Sequence, residues 1–559
     1  MHGLSMDYQL TIPAILRRTE SLFGAKKVVS RLADRSVHRY TYAECTRRAK
    51  RLATALARLG LRPGDRVATL CWNHYRHLEA YYAVPASGLV LHTLNLRLHP
   101  DELAYIASHA GDRAIIVDAV LWPLFEKFRA RVPFEHVIVV ADGASAPDRT
   151  LEYESLIEDI GDEDYSYPEL DERAAGVMCY TSGTTGKPKG VVYSHRALVL
   201  HSMASSMMDT LAIGERDTVL AVVPMFHANA WGTPFTAALV GASQVFPGPH
   251  MDAKSIVELL AEEEVTIAAG VPTIWLGILQ FLDANQGRYD LSRLHTMLVG
   301  GAAVPEAVVR ALQERHGLHV LHAWGMTELA PLGSVSRLPS SLRGASSDVQ
   351  YAYRAKQGPP APFVEVRARG DEGLVPWDGA TMGELEVRGP WVSCDYHDCA
   401  EGRVQFTDDG WFRTGDIVTL EANGYITIQD RAKDLVKSGG EWISTVALEG
   451  ALVGHPDVTE AVVIAVPHPK WDERPLAVVV PSEGRSPTIE ELNAFLAPSF
   501  SKWSLPDDVV LVASIPRTGT GKYLKSALRE AYRGHFGTRT TAAGEARDGA
   551  SKAVSAPSE

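Results

Sequence analysis

The chain alternates between two hydrophobic periods. Tyr42 to Leu59 sets apolar residues three and four apart, the mark of one helix face, and Asp101 to Ala110 reads the same way, with Pro100 at its entry. Short apolar runs stand among such segments: Arg66 to Cys71, Arg113 to Val117, Ala174 to Tyr180, Gly190 to Tyr193, Thr218 to Val223, Ser243 to Phe246, Ile267 to Ala269 and Met297 to Val299. Their alternation with helical patterns at Arg196 to Leu211, Ala253 to Glu263 and Pro305 to Arg315 predicts an α/β fold of doubly wound sheets. Ala144 to Glu172 is rich in Asp, Glu, Ser, Tyr and Pro and lacks periodicity, so it reads as a surface connection.

From Tyr353 the texture changes to short strands broken by Gly and Pro, at Val364 to Arg367, Gly383 to Val387 and Gly424 to Ile428. After Asp430 a smaller unit begins, with helices at Thr445 to Leu452 and Thr488 to Phe495, strands at Val458 to Val466, Leu476 to Val480 and Val509 to Ala513, and an amphipathic helix at Tyr523 to Phe536. The expected organisation is a large N-terminal domain over 1–429 whose part from 353 on is β-rich, a hinge over 430–435, a small mobile α+β domain over 436–537, and a disordered tail over 538–559.

Composition narrows the class. With 559 residues and 46% hydrophobic content, one core is too few. A net charge of −13 argues against duplex nucleic acid or an anionic membrane as partner. No segment approaches the roughly 18 to 20 apolar residues of a membrane span, and Met1 to Leu16 lacks a signal-peptide pattern, so the expected location is the cytoplasm, without integral membrane contact. Cys45, Cys71, Cys179, Cys394 and Cys399 form no CxxC pair and read as packing thiols. Cys394 and Cys399 flank His397, but this is not a zinc spacing.

Three stretches carry chemistry. Tyr180-Thr181-Ser182-Gly183-Thr184-Thr185-Gly186-Lys187-Pro188-Lys189-Gly190 joins hydroxyls, glycines and lysines between two apolar runs, a composition suited to phosphates. It is not a Walker A loop, because it lacks the Gly-x4-Gly-Lys-Ser/Thr spacing and leads into a strand. Trp324-Gly325-Met326-Thr327-Glu328 pairs an aromatic that can stack on a base with a hard oxygen ligand; a helix start capped by Thr327 is the plainer alternative. Thr414-Gly415-Asp416 sets a carboxylate past a Gly turn, where it suits ribose hydroxyls or a simple Asx turn.

Together with Asp430 to Ile443 and Pro516-Arg517-Thr518-Gly519-Thr520-Gly521-Lys522, these stretches resemble the ordered motif set of the acyl-adenylate-forming superfamily. Val223 to Trp231 and Lys437 to Ser444 are most similar to bacterial medium- and long-chain fatty-acyl-CoA synthetases, and the resemblance spans about Pro13 to Phe536. It implies an enzyme that uses MgATP to turn a carboxylic acid into an acyl-adenylate and passes it to CoA, with a medium- to long-chain fatty acid as first choice. An aryl acid or nitrite as the activated anion, and a carrier protein or an amine as acceptor, remain open. A catalytically silent nucleotide-binding protein is disfavoured by the complete motif set.

The resemblance also implies roles. Thr181, Ser182, Gly183, Thr184, Thr185, Gly186 and Lys187 would hold the ATP phosphates, with Thr184 and Glu328 at the magnesium ion. Gly301, Ala302, Ala303, Trp324, Gly325, Met326 and Thr327 would border the adenine, and Asp416 and Arg431 the ribose. Lys522 would bridge the acid carboxylate and the α-phosphate. Asp430, Lys433 and Asp434 would belong to the hinge, whose rotation presents Lys437, Ser438, Gly439, Gly440, Glu441 and Trp442 for the thiol step, with Lys437 also catalytic. His227, Trp231, Gly270, Val271, Val299, Gly300 and Met326 fall where the family lines its acid pocket, Trp231 as a gate, and the glycines around Gly270 and Gly300 suggest room for an extended or aromatic group. A homodimer built through N-terminal segments is implied as well. The departures are Trp324, where many relatives carry Tyr, and Ser393-Cys394-Asp395, where they often carry a Gly-rich turn.

Overall fold

The computed structural model describes residues 3–143, 146–158, 160–161, 165–181, 187–438, 441–517 and 522–537. The chain divides into two units, Met1–Ala432 with Arg517–Lys522, and Lys433–Pro516 with Tyr523–Glu559. The expected tail over 538–559 lies outside the described residues.

The apolar runs of the first unit become strands of two mainly parallel sheets. One has seven strands, in the order Leu151–Glu152, His136–Val140, Asp112–Asp118, Arg66–Leu70, Val90–Thr93, Ala175–Tyr180 and Gly190–Ser194. The other has eight, in the order Leu332–Val335, Val320–Gly325, Thr296–Val299, Ile267–Gly270, Thr218–Ala221, Ser243–Phe246, Lys27–Arg31 and Val37–Thr41. A five-stranded antiparallel sheet, centred on Gly383–Arg388 and Phe412–Leu420, supplies the β-rich part. Val364, Leu385, Phe412 and Ile426 join it to the same apolar core that holds Ile12, Leu52, Val177 and Leu298.

Local chemistry sets the element ends. Thr41 accepts from the Glu44 N–H while Glu44 accepts from the Thr41 N–H, so a capping box starts the helix Tyr42–Arg58 one residue before its first buried turn closes. That helix buries Cys45, Ala49, Leu52, Ala53 and Leu56 and exposes Arg47 and Arg58, while Arg48 reaches inward.

The smaller unit is an antiparallel sheet of Glu441–Ile443, Val436–Ser438, Asp472–Pro481 and Val458–His468, with Asp508–Leu511 alongside. Along Val458–His468 the side chains alternate between two apolar clusters: Ala461, Val463 and Ala465 face the helices Thr445–Leu452 and Ile489–Leu496, while Val462, Ile464 and Val466 face Leu528 and Phe536.

Two expectations need correction. The stretch Ala144 to Glu172 is not mere connection: it holds the strand Leu151–Glu152 and the helix Tyr153–Glu158, with Tyr153 and Ile157 buried. The last helix is shorter than its pattern, Lys525–Ala531, and gives way to turns over 532–537. Asp430 and Arg431 are the end of the strand Ile426–Arg431, and Asp416 lies inside Phe412–Leu420, with the left-handed φ of +72° at Gly415 just before it. No helix of the described residues is long and apolar enough to cross a membrane.

The misread stretch is tied down by charge. Glu79 is fully buried and accepts from Arg48 Nε at 2.7 Å, the Tyr153 hydroxyl at 2.7 Å and the Tyr40 hydroxyl at 3.1 Å. Arg48 also donates to Glu154 at 2.9 Å. Replacing Arg48 by Met strands a buried carboxylate and is expected to lower stability by about 3–5 kcal/mol. Adding Glu79→Gln should recover part of that loss, as read from denaturant midpoints of both variants.

Candidate active site

Parallel strands that start together also end together, so the loops after them share one edge. Ala175–Tyr180 lies beside Val90–Thr93, and past Tyr180 the chain narrows into a neck. There Thr181 N–H donates to the Lys189 carbonyl at 2.9 Å, and Lys189 N–H to Thr181 Oγ1 at 3.2 Å. Ser182, Gly183, Thr184, Thr185 and Gly186 lie outside the described residues. Lys187 is exposed, its ammonium 5.1 Å from the centre of the Tyr105 ring, and Lys189 lies 4.8 Å from that of Tyr396. Gly190 has no space for a side chain: a Cβ would lie 3.0 Å from the Tyr180 ring and 3.1 Å from His397.

The second edge follows Val320–Gly325. A Cβ on Gly325 would lie 1.9 Å from the Pro331 carbonyl oxygen, so only glycine lets the two backbones meet. Trp324 is 7% exposed and packs on Gly333, which leaves little of its face for a base. Its Nε1 donates instead to Asp416 Oδ2 at 3.0 Å, while Arg431 Nε contacts Asp416 Oδ1 at 2.9 Å and Arg431 Nη1 donates to the Thr414 carbonyl. Both carboxylate oxygens of Asp416 are thereby oriented, and the lone pairs that remain can accept from hydroxyls. Thr327–Leu329 is a short 3₁₀ turn, not a capped α-helix. Glu328 in it is buried, and Oε1 accepts from the Tyr396 hydroxyl at 2.6 Å.

The apolar side of this edge centres on residues 227–232. Ala228, Asn229, Ala230 and Trp231 all have positive φ, between 43° and 58°. Such a left-handed turn of non-glycine residues costs roughly 1–2 kcal/mol per residue. Its surroundings hold it: Asn73 donates to the Ala221 and Val223 carbonyls and accepts from Met225 N–H, Tyr81 donates to the Met225 carbonyl, and Gly232 closes on the His201 ring. The glycines expected to leave room are filled. A Cβ on Gly300 would meet the Trp231 ring at 3.2 Å, and one on Gly270 would meet the Trp275 ring at 2.7 Å. Trp275, which no motif marks, donates from Nε1 to the Gly270 and Leu298 carbonyls.

Lys522, distant in sequence, comes to this edge. A Cβ on Gly301 would lie 3.7 Å from Lys522 Cε and 3.5 Å from Val271 Cγ1. Burial pushes the His227 imidazole down to about 4, and the charges of Lys522 and Arg97 push it the same way. His227 is therefore neutral at neutral pH. Arg97, on the loop after Val90–Thr93, escaped the sequence reading because a single arginine in a loop carries no pattern. Val299 is buried, Met326 half-buried, and Ala302 and Ala303 are exposed beside Gly301.

In the smaller unit Lys437 and Trp442 pair across the hairpin of Val436–Ser438 and Glu441–Ile443, both exposed, with the ammonium 5.7 Å from the indole. Ser438 is buried and accepts from Arg474. Gly439 and Gly440 lie outside the described residues, as does the Glu441 side chain. Asp434 pairs with Arg529, and Lys433 is exposed.

His397 does not gather Cys394 and Cys399 into a metal-binding group; the one such group among the described residues is Cys71, His74 and Asp118. Asp118 there already accepts from Trp72 N–H and pairs with His74 Nε2, and burial pushes the Cys71 thiol up, so the cluster reads as internal packing.

Residues 21–397 match the AMP-binding enzyme family and residues 447–522 its C-terminal domain. The long-chain-fatty-acid–CoA ligase of Thermus thermophilus is 50% identical over 95% of this chain and 97% of its own length. The medium-chain-fatty-acid–CoA ligase of Ectopseudomonas oleovorans and the 3-methylmercaptopropionyl-CoA ligase of Ruegeria pomeroyi are each 44% identical over 95% of this chain, covering 98% and 99% of their own lengths. Among solved structures, ATP-bound MatB from Rhodopseudomonas palustris superposes with a TM-score of 0.79 at 26% identity, over 94% of this chain and 99% of that one. The anthranilate CoA ligase AuaEII in complex with anthranoyl-AMP has the same fold, with a TM-score of 0.84 at 24% identity over 95% and 99% of the two chains. Since the family match covers most of the larger unit, and half of all residues are shared with a relative aligned almost end to end, the chain belongs to the AMP-binding, acyl-adenylate-forming enzymes.

Proposed function

We propose that the chain is an AMP-forming acid:CoA ligase. An acid carboxylate attacks the α-phosphorus of ATP, the bond to the pyrophosphate oxygen breaks, and an acyl-adenylate forms; the CoA thiol then attacks the acyl carbonyl and AMP leaves. The observation that carries this reading is the approach of Lys522 to Gly301, with its charge acting on the buried His227, a cation at the border of the edge proposed for the nucleotide and the apolar segment around Trp231. Bringing carboxylate and phosphate together joins two anions, and an ammonium group between them stabilises the charge of the in-line transition state without any proton transfer.

The remaining roles follow the same edge. Thr181, Lys187 and residues 182–186 take the phosphates, Asp416 and Arg431 the ribose, and Gly301 to Ala303 with Gly325 to Thr327 the adenine. Trp324 serves here by orienting Asp416. Glu328 is a buried carboxylate with which no Lys, Arg or His of the described residues pairs, so a magnesium ion fits its chemistry; Thr184, its expected partner ligand, lies outside those residues. When bound, the ion would offset the negative charge of the phosphates. Residues 430–435 are the proposed hinge between domains 1–429 and 436–537, with Lys437 to Trp442 serving the thiol step. Exposure of Leu4, Met6 and Tyr8 supports a homodimer built through the N-terminal segments, and the cytoplasm is the proposed location.

A medium- to long-chain fatty acid is the first substrate choice, supported by the names of the Thermus and Ectopseudomonas relatives. The space taken by Trp231 and Trp275 favours a second choice, a short acid, in keeping with the name of the Ruegeria relative. Pyrophosphate exchange into ATP over a panel of acids, with CoA present and absent and products weighed by mass spectrometry, separates these from aryl acids, nitrite, carrier proteins and amines. Exchange with fatty acids and acyl-CoA as product is expected; an absence of acid-dependent exchange sinks the proposal.

Lys522→Ala should cut adenylate formation by about 100- to 1,000-fold and leave thioester formation from supplied acyl-adenylate largely intact. Equal loss of both steps would count against its role. Trp231→Ala should shift chain-length preference and raise the KM for acid more than that for ATP, measured in steady state.

A further inference from the structure

The stretch Ser393-Cys394-Asp395, where the sequence departs from its relatives, leads into Tyr396 and His397, which have no part in the roles above. Their contacts converge on Glu328. Ser393 N–H donates to the Glu328 carbonyl at 2.7 Å, and the Tyr396 hydroxyl lies 2.6 Å from Glu328 Oε1 and 2.7 Å from Gln405 Oε1. A phenol has one proton, and the charged carboxylate is the stronger acceptor of it. Nothing in this arrangement supplies positive charge to Glu328 itself.

The same segment grips the strand that leaves the 181–190 loop. His397 N–H donates to the Gly190 carbonyl at 2.8 Å, and the Lys189 ammonium stands 4.8 Å from the centre of the Tyr396 ring. The ring itself is held in place: Phe406 meets it edge-on at 5.8 Å, and Gly402 lies so close that a Cβ there would fall 2.5 Å from it. Tyr396 is 5% exposed, so its hydroxyl has Glu328 and Gln405 as partners instead of bulk water.

We propose that Tyr396 is a positioning residue for Glu328: its hydroxyl fixes one carboxylate oxygen, presents the other to a divalent cation on the ATP phosphates, and links that orientation to the Lys189–Gly190 chain. The inference rests on the reading of Glu328 as a metal ligand. A ligating carboxylate that can rotate loses part of its affinity to its own freedom, and an outer partner that locks it is worth about 10- to 100-fold in metal affinity. The partners of the hydroxyl are the Glu328 and Gln405 side chains, so a positioning role predicts an effect on metal-bound ATP alone.

Calorimetric titration with MgATP, with ATP in excess EDTA and with AMP separates the possibilities. Tyr396→Phe keeps the ring contacts and removes the hydroxyl. It is expected to weaken MgATP by about 10- to 100-fold and to leave metal-free ATP and AMP unchanged. Gly402→Ala, which keeps the hydroxyl but displaces the ring, should show the same selective loss and serves if the first variant does not fold. Glu328→Gln should abolish the advantage of MgATP over ATP. If the Tyr396 and Gly402 variants bind MgATP normally, or lose all three ligands alike, while Glu328→Gln is selective, the positioning role is overturned and Glu328 keeps its own. If Glu328→Gln is not selective, the metal-ligand reading fails and the inference with it.

Discussion

A carboxylate taken out of water must be met by donors or by positive charge. The large unit meets this constraint repeatedly: Arg48 faces Glu79, Arg367 and Arg369 face Glu386, His92 faces Asp112, His74 faces Asp118, and Arg431 with Trp324 faces Asp416. Those of Arg367, Arg369 and Arg431 join neighbouring strands, and the bond from Trp324 to Asp416 ties together elements 92 residues apart, so contacts that satisfy charge also help to close the fold. Glu328 differs: among the described residues no Lys, Arg or His pairs with it, and a tyrosine hydroxyl is its partner. On the proposed reading of Glu328 as a metal ligand, this difference keeps a place for charge that arrives with a ligand.

Glycine has two uses at the candidate site. At Gly325 and Gly190 a missing side chain lets backbone or ring approach closely, which fixes the edge proposed for the nucleotide. At Gly270 and Gly300 the missing side chain makes a recess, and a tryptophan from elsewhere in the chain occupies each. The first use confers rigidity. The second leaves a volume whose size depends on where an indole stands.

Much of this was legible in the sequence. The helical period over Tyr42 to Leu59, the apolar strands and the linear motifs at Thr181, Trp324 and Asp416 are local signals, and local signals survive reading along one dimension. The helix Tyr153–Glu158 was missed because its polar residues look solvated until Arg48 and Arg76 are brought to Glu154 by other elements. The recesses were misjudged for a similar reason, since a glycine in sequence does not say whether its space is empty or filled, and Trp275 is no different from any core tryptophan. Tyr396 was passed over because its partner, Glu328, is 68 residues away.

The left-handed turn at Ala228 to Trp231 bears on how this pocket can change over generations. Four successive side-chain-bearing residues at positive φ exclude β-branched replacements, and burial of Ala228, Asn229 and Ala230 excludes large ones. The segment is close to frozen as a source of variation. On the proposed reading of this turn as one side of the acid pocket, a change of acid preference falls to the walls around it, at Val271, Val299 and Met326.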